Sequence, residues 1–190
     1  MDEVRDDDPG GDALADALLA IRCQLGEPAA FDLLVERWHE PLWKYVRRLT
    51  ESEEAAADTV QDVWLRVLRA MPRLRDPARL RAWLFGIARH AVLDRLRRRY
   101  AEPEPLSVDD VEVAAPDPRD DLVEELDVLH DELARMPFTE REVLVLFYLH
   151  ELTLGQLAEV LAVPVGTVKS RLFRARQMLR RTLIEKGVQP

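Results

Sequence analysis

The chain has 190 residues and a formal net charge of −9, enough length for one large domain or two small ones. Its apolar runs fall short of the ~20 residues of a membrane helix, and the acidic opening MDEVRDDDPGG is unlike a signal peptide, so no membrane insertion and a cytoplasmic location are expected. The single cysteine, Cys23, excludes an internal disulfide, and no Cys/His grouping has zinc spacing, so no metal site is expected.

Residues 1–11 read as an acidic, disordered tail. From Asp12 an apolar helical pattern begins (Leu14, Leu18, Leu19, Ile21, Leu25), broken by Gly26-Glu27-Pro28. A second helix is predicted from about Ala29 to Leu49, with Phe31, Leu34, Val35, Trp38, Leu42, Tyr45, Val46 and Leu49 at helical spacing. Pro41 inside it should kink or split it. Ser52 can cap a third helix running to Met71. Its core side is Val60, Val63, Trp64, Val67 and Leu68, with Asp58, Gln61, Asp62 and Arg66 toward solvent. After the loop MPRLRDP a fourth helix runs from Pro77 to about Arg99. Leu80, Trp83, Leu84, Ile87 and Ala91 form one stripe, and Arg79, Arg89 and Arg97 project from the other side.

The acidic total hides two basic blocks. Residues 71–100 carry nine arginines against Asp76 and Asp94, for +7, with Trp83 and Phe85 interleaved. Residues 161–190 carry seven Lys/Arg against Glu185, for +6. Only local blocks touch a polyanion, so nucleic acid remains open as a partner despite the total. For the first block two readings stand: arginine stems covering a core, or a cationic platform with aromatic faces for single-stranded or melting DNA. The acidic remainder should weaken free binding to DNA and leave a partner to present the basic faces.

Residues 101–121 hold Pro103, Pro105, Pro116 and Pro118 among acidic residues and cannot build a core. They read as a flexible linker long enough that the domains either side need not touch. Leu122 to Met136 is an acidic amphipathic helix (Leu122, Leu126, Leu129, Leu133), ended by Pro137. Thr139 with Glu142 makes a capping box that opens an apolar helix through Val143, Leu144, Leu146, Phe147 and Leu149. Then comes a helix-turn-helix. Thr153 and Gln156 form a second capping box, Leu154, Leu157, Ala158 and Leu161 give one apolar side, and Pro164 starts the next helix. In that helix Val168, Leu172, Ala175 and Leu179 face inward, leaving Thr167, Lys169, Ser170, Arg171, Phe173 and Arg174 outside. A helix with one basic face fits the major groove, where Arg and Lys read guanine edges and neutralise phosphate. The bland alternative is an amphipathic hairpin with a solvated face. The turn position is Ala162, where a left-handed alanine costs roughly 1–2 kcal/mol, so the turn avoids that conformation or the packing offsets it.

The expected fold is all-α: two small helical domains, residues 12–100 and 122–190, joined by an acidic, proline-containing linker, the second with a helix-turn-helix. An enzyme finds no support. His39, His90, His130 and His150 are scattered, no nucleophile–base pairing is suggested, and Gly155 and Gly166 are isolated, so neither cofactor nor phosphate loop is expected.

Three stretches together resemble a bacterial RNA polymerase sigma factor of the extracytoplasmic-function (ECF) group: Asp58 to Ala70 (DTVQDVWLRVLRA), Leu80 to Arg99 (LRAWLFGIARHAVLDRLRRR) and Pro164 to Arg176 (PVGTVKSRLFRAR). The resemblance covers about residues 29–100 and 122–183. It implies a protein that binds core RNA polymerase and promoter DNA, directs promoter-specific initiation, assists DNA melting and is no enzyme. It also implies an anti-sigma factor as a partner, since family members are commonly held inactive by one. By resemblance Asp58, Gln61, Asp62 and Arg66 lie on the polymerase-clamp contact. Pro72, Arg73, Leu74, Arg75 and Asp76 form part of the pocket for a flipped −10 base, and Arg79, Arg81 and Arg89 hold phosphates there. Thr167, Lys169, Ser170, Arg171, Phe173 and Arg174 face the −35 major groove. The linker would thread toward the polymerase active-site and RNA-exit channel. The sequence departs from the family at His90, where asparagine is frequent, and at Ala162, where glycine is. The competing function is a helix-turn-helix regulator that acts without polymerase, with residues 12–100 as a ligand or dimerisation domain; the arginine-rich fourth helix disfavours it.

Overall fold

The structure is a computed structural model that describes residues 10–99 and 132–185. Among these residues every regular element is helical. The first unit comprises α1 (Gly10–Gln24), α2 (Pro28–Leu49), α3 (Glu53–Ala70) and α4 (Leu80–Arg99), with two 3-10 turns, Met71–Arg73 and Pro77–Arg79, bracketing the loop between α3 and α4. The second comprises α5 (Phe138–Leu144), a π-helical turn (Val145–Leu149), α6 (Leu154–Leu161) and α7 (Val165–Glu185), preceded by helical residues 132–135. The predicted linker, most of the tail and most of the Leu122–Met136 helix lie outside the described residues.

Local chemistry accounts for most boundaries. The Ser52 hydroxyl accepts the Ala55 N–H at the start of α3, and Asp76 accepts the Ala78 N–H at the second 3-10 turn. Pro41 removes one backbone donor, yet α2 runs through it unbroken, because Leu34, Trp38, Leu42, Tyr45, Val46 and Leu49 on both sides are held in the core. Burying each of these gains about 1.5–3 kcal/mol, which outweighs one helical bond.

Three expectations change. Of the apolar pattern predicted for α1 and the residue after it, Leu19 is buried, with Asp16 and Ala20, whereas Leu14, Leu18, Ile21 and Leu25 are exposed. Polar anchors decide that orientation. Arg37 pairs with Asp16 at 2.7 Å, and Gln24 Nε2 donates to the Leu74 carbonyl at 2.6 Å. On α3, Leu68 is exposed instead of buried, together with Leu65. The third concerns the capping box expected of Thr139 with Glu142: α5 starts at Phe138 after Pro137 with no side-chain cap bond, so Thr139 is already inside the helix, and Glu142 accepts from Tyr45 and Arg89.

The two units do touch. α4 packs against α6 as well as against α2 and α3, and α2 meets α5 and the π-helical turn. That second covering is why α4 is buried nearly all round, at Leu80, Ala82, Leu84, Phe85, Ala88, Ala91, Val92, Leu93 and Leu96, instead of along one stripe. At the junction Glu142 is fully buried. Its carboxylate accepts the Tyr45 hydroxyl at 2.8 Å and the Arg89 Nε–H at 3.3 Å. His150 closes the junction, its ring 4.8 Å from that of Phe85 and 6.1 Å from that of Tyr45.

Candidate nucleic-acid interface

The helix-turn-helix forms as its sequence prescribes. Thr153 and Gln156 complete the capping box, with the Thr153 N–H donating to Gln156 Oε1 at 2.9 Å and the Gln156 N–H to Thr153 Oγ1 at 3.2 Å. α6 ends with Ala162 in the left-handed region, φ 54° and ψ 44°. Val163 N–H reaches the Ala158 carbonyl and Ala162 N–H the Glu159 carbonyl, the paired bonds of a Schellman ending. Those bonds offset the conformational cost at alanine. Val168, Leu172 and Ala175 are buried, which fixes the roll of α7. Lys169, Ser170, Phe173 and Arg174 are thereby exposed, while Thr167 and Arg171 are half-buried. Phe173 is the outlier on this face, an apolar ring 64% exposed. Arg174 has Glu140 at 3.7 Å, too long and too exposed to hold it.

The other cationic region is built around the 71–79 loop. Gln24, absent from the predicted set, pins the loop through the carbonyls of Leu74 and Met71. Leu74 is buried and anchors the segment. Pro72, Arg73, Arg75 and Asp76 are consequently exposed, and Arg73 and Arg75 make no ion pair among the described residues. Between this loop and α4 lies a cleft of about 490 Å³, whose walls include Arg73, Arg75, Arg79, Trp83, Ile87 and His90. Trp83 is half-buried and Ile87 likewise, so the cleft has one flat aromatic wall. Neither Trp83 nor His90 was in the predicted set. Their signal was the aromatic interleaving of the basic block and the i, i+4, i+7 spacing of residues 83, 87 and 90.

Arg79, Arg81 and Arg89 are all engaged by the second unit. Arg79 pairs with Glu159 of α6 at 3.0 Å, and Glu159 itself lines the cleft. Arg81 donates to the His150 carbonyl and lies over the Trp38 ring. Arg89, expected to project outward, is buried against Glu142. Burial pushes the Glu142 carboxyl up from its ordinary value, and the Arg89 charge opposes this without winning. Tyr45 is raised further, by burial and then by the Glu142 charge. The remaining α4 arginines are largely matched at home: Arg95 and Arg99 pair with Glu51, and Arg97 pairs with Asp94.

On α3 the predicted polar group shares one face. Asp58 and Gln61 are exposed. Arg66 is held between Asp62 and Asp94, each at 2.8 Å, which raises its pKa chiefly through the Asp62 hydrogen bond. Leu65 and Leu68, 45% and 55% exposed, complete this face with apolar area, of which Leu68 was expected on the core side.

Residues 34–102 match the family model of Sigma-70 region 2, and residues 126–179 that of Sigma-70 region 4. The ECF RNA polymerase sigma factor SigM of Mycobacterium tuberculosis is 35% identical over 169 residues, spanning 89% of this chain and 85% of that protein. The RNA polymerase sigma-H factor of Pseudomonas aeruginosa is 29% identical over 188 residues, 92% and 94% of the two chains. Among solved structures, CnrH in complex with the cytosolic domain of CnrY is similar at a TM-score of 0.69 and 29% identity, covering 90% of this chain and 98% of that one. The sigma factor RpoE of Bartonella quintana, in complex with the anti-sigma factor NepR, gives a TM-score of 0.68 at 25% identity, covering 80% and 96%.

Proposed function

The chain belongs to the ECF RNA polymerase sigma factors, and from that membership we propose that it binds core RNA polymerase and directs initiation at promoters carrying its own −10 and −35 elements. The observation that carries this reading is the pairing of two basic faces on two separately matched units: the loop-and-α4 cleft within region 2 and the exposed side of α7 within region 4. In this reading residues 12–100 dock on the polymerase clamp through Asp58, Gln61, Asp62 and Arg66, with Leu65 and Leu68 supplying the apolar part of the contact. Pro72, Arg73, Leu74, Arg75 and Asp76 shape the cleft that takes a base leaving the −10 stack. Extruding that base costs a few kcal/mol, which a shaped pocket with an aromatic wall offsets. Arg79, Arg81 and Arg89 hold the adjoining phosphates once the second unit has moved off them. Residues 122–190 anchor the upstream duplex, with Thr167, Lys169, Ser170, Arg171, Phe173 and Arg174 toward the major groove. Joining two modest sites through one polymerase raises effective concentration, so neither has to bind tightly alone. One solved relative was captured with an anti-sigma factor, and we assign this chain the same kind of partner.

Run-off transcription with purified core polymerase, with and without this protein, on a library of promoter fragments tests the proposal. Discrete start sites that need both components are expected. Specific duplex binding by the protein alone, with no core-dependent initiation, would establish a regulator that works without polymerase. Within the same assay Arg174→Ala is expected to cost about 1–3 kcal/mol at the −35 element, as a base-edge contact does. Equal loss on scrambled −35 sequences would make Arg174 a phosphate contact instead.

A further inference from the structure

The large apolar side chains left exposed on α1 stand in a regular order. Leu14, Leu18, Ile21 and Leu25 are separated by four, three and four residues, the alternation that makes the seam of a two-helix coil. Leu25 lies one residue past α1, and its N–H still donates to the Ile21 carbonyl at 3.0 Å, so the helical row runs through it. Asp16, Leu19 and Ala20 are buried on the opposite side of the helix, so the core of the first unit does not use the row. Among the described residues Leu25 is the most exposed large apolar side chain, at 74%. Ala15 and Ala17 border the row and let another helix come close. Arg22, the charge at its edge, is paired with Glu27 at 2.8 Å. A continuous apolar row of this kind on a surface marks an interaction site.

We propose that α1 is a self-association face, along which two copies of the chain pair antiparallel through Leu14, Leu18, Ile21 and Leu25. The spacing of the row reads the same in either direction. Under a two-fold axis Leu14 therefore meets Leu25 of the second copy and Leu18 meets Ile21, each contact occurring twice, as an isologous interface requires. Charge selects the antiparallel sense. Residues 1–9, ahead of α1, hold Asp2, Glu3, Asp6, Asp7 and Asp8 against Arg5, and parallel pairing would set two such segments side by side. Antiparallel pairing brings the N-terminal end of each α1 to the C-terminal end of the other. There Gln24 holds the 71–79 loop, on which Arg73 and Arg75 are exposed and make no ion pair among the described residues. Asp12 and Glu27, opposite each other in this register, are each neutralised at home, by Arg37 at 3.0 Å and by Arg22 at 2.8 Å. Two such rows bury on the order of 1,000 Å² between them, the low end of specific interfaces, so the dimer forms and dissociates with concentration.

Sedimentation velocity of the full chain over a concentration series tests the pairing. A monomer–dimer equilibrium is expected, with its Kd raised at least tenfold by Leu18→Glu or by Ile21→Glu. Both positions are exposed, so helical content and Tm should stay at the wild-type values. Cross-linking reads the orientation. In a Cys23→Ala background, chains carrying Leu18→Cys mixed with chains carrying Ile21→Cys should form the mixed disulfide faster than either forms a disulfide with itself. A wild-type chain that stays monomeric at every concentration would overturn the proposal, and weaker binding of core polymerase by Leu18→Glu would then give the row to polymerase. A dimer left intact by both glutamate variants lies elsewhere on the surface and overturns it equally. Preferential cross-linking of Leu18→Cys chains to one another would mean parallel pairing, which the proposal excludes.

Discussion

His150 occupies a place where an imidazole is held neutral. Burial, followed by the charges of Arg81, Lys44 and Arg48, lowers its pKa to about 4, whereas in an open chain it titrates near 6.5. Between these values the packed state binds fewer protons than the open one. The contribution of the neutral ring is therefore complete above pH 6.5 and is lost as pH falls through about 4. Over that interval one group is worth about 3 kcal/mol. Glu142 and Asp16 work in the opposite sense, since both carboxyls are raised by burial and their neutral forms favour the packed state. The clean quantity is thus a difference between chains. Urea unfolding of wild type and His150→Leu, compared at pH 7 and pH 4.5, should show stability falling further in the wild type. Parallel losses would assign the acid sensitivity to other groups. Nothing in the sequence marked His150 out from His39 or His130, because its environment is made by Tyr45 and Phe85, more than sixty residues away.

Among the elements, those whose instructions are local were the legible ones. The capping box at Thr153, the stop before Pro164 and the inward row Val168, Leu172, Ala175 are each written within a few residues, and each forms. The face of a helix is less local information. α1 carries a leucine pattern of which Leu19 alone enters the core, because the Arg37–Asp16 ion pair and one glutamine-to-carbonyl bond decide which side turns in. α4 read as one-sided because the sequence does not record that α6 would pack against it as well. For the turn between α6 and α7, the sequence left two options open and the structure takes the costly one. Ala162 is left-handed and exposed, so Ala162→Gly removes roughly 1–2 kcal/mol of backbone strain and loses no packing. The greater freedom of glycine in the unfolded chain takes back about 0.4–1 kcal/mol. Net stabilisation of about 0.5–1 kcal/mol is expected, read as a small rise in Tm by calorimetry. A fall would mean that the Schellman bonds already relax the strain. Thr153→Ala, which removes a cap, should cost about 1 kcal/mol in the same measurement.

At the level of the whole molecule the described arrangement engages three of the five proposed −10 arginines and leaves Arg73 and Arg75 exposed. Arg79, Arg81 and Arg89 each meet the second unit, through Glu159, the His150 carbonyl and Glu142. None of this was legible, since Glu142 reads as a capping residue and a linker of about twenty residues permits almost any placement. The three contacts are unequal. Arg79 with Glu159 is a surface pair and contributes little. The Arg89–Glu142 pair is buried, and removing one partner strands a charge at a cost of about 3–5 kcal/mol. The buried apolar residues of the two units form one cluster, and parting the units is the relief that lets water reach Arg89. Glu142→Gln should therefore raise the radius of gyration in small-angle scattering while helical content stays constant. It should also increase the affinity of the free chain for single-stranded −10 DNA several-fold, because the arginines are released. The double variant Arg89→Met/Glu142→Leu replaces the pair with apolar volume and should return the compact form without any charge at the junction. If Glu142→Gln leaves both the radius and the DNA affinity unchanged, the buried pair does not hold the units together, and that role passes to the aromatic contacts of His150 with Tyr45 and Phe85.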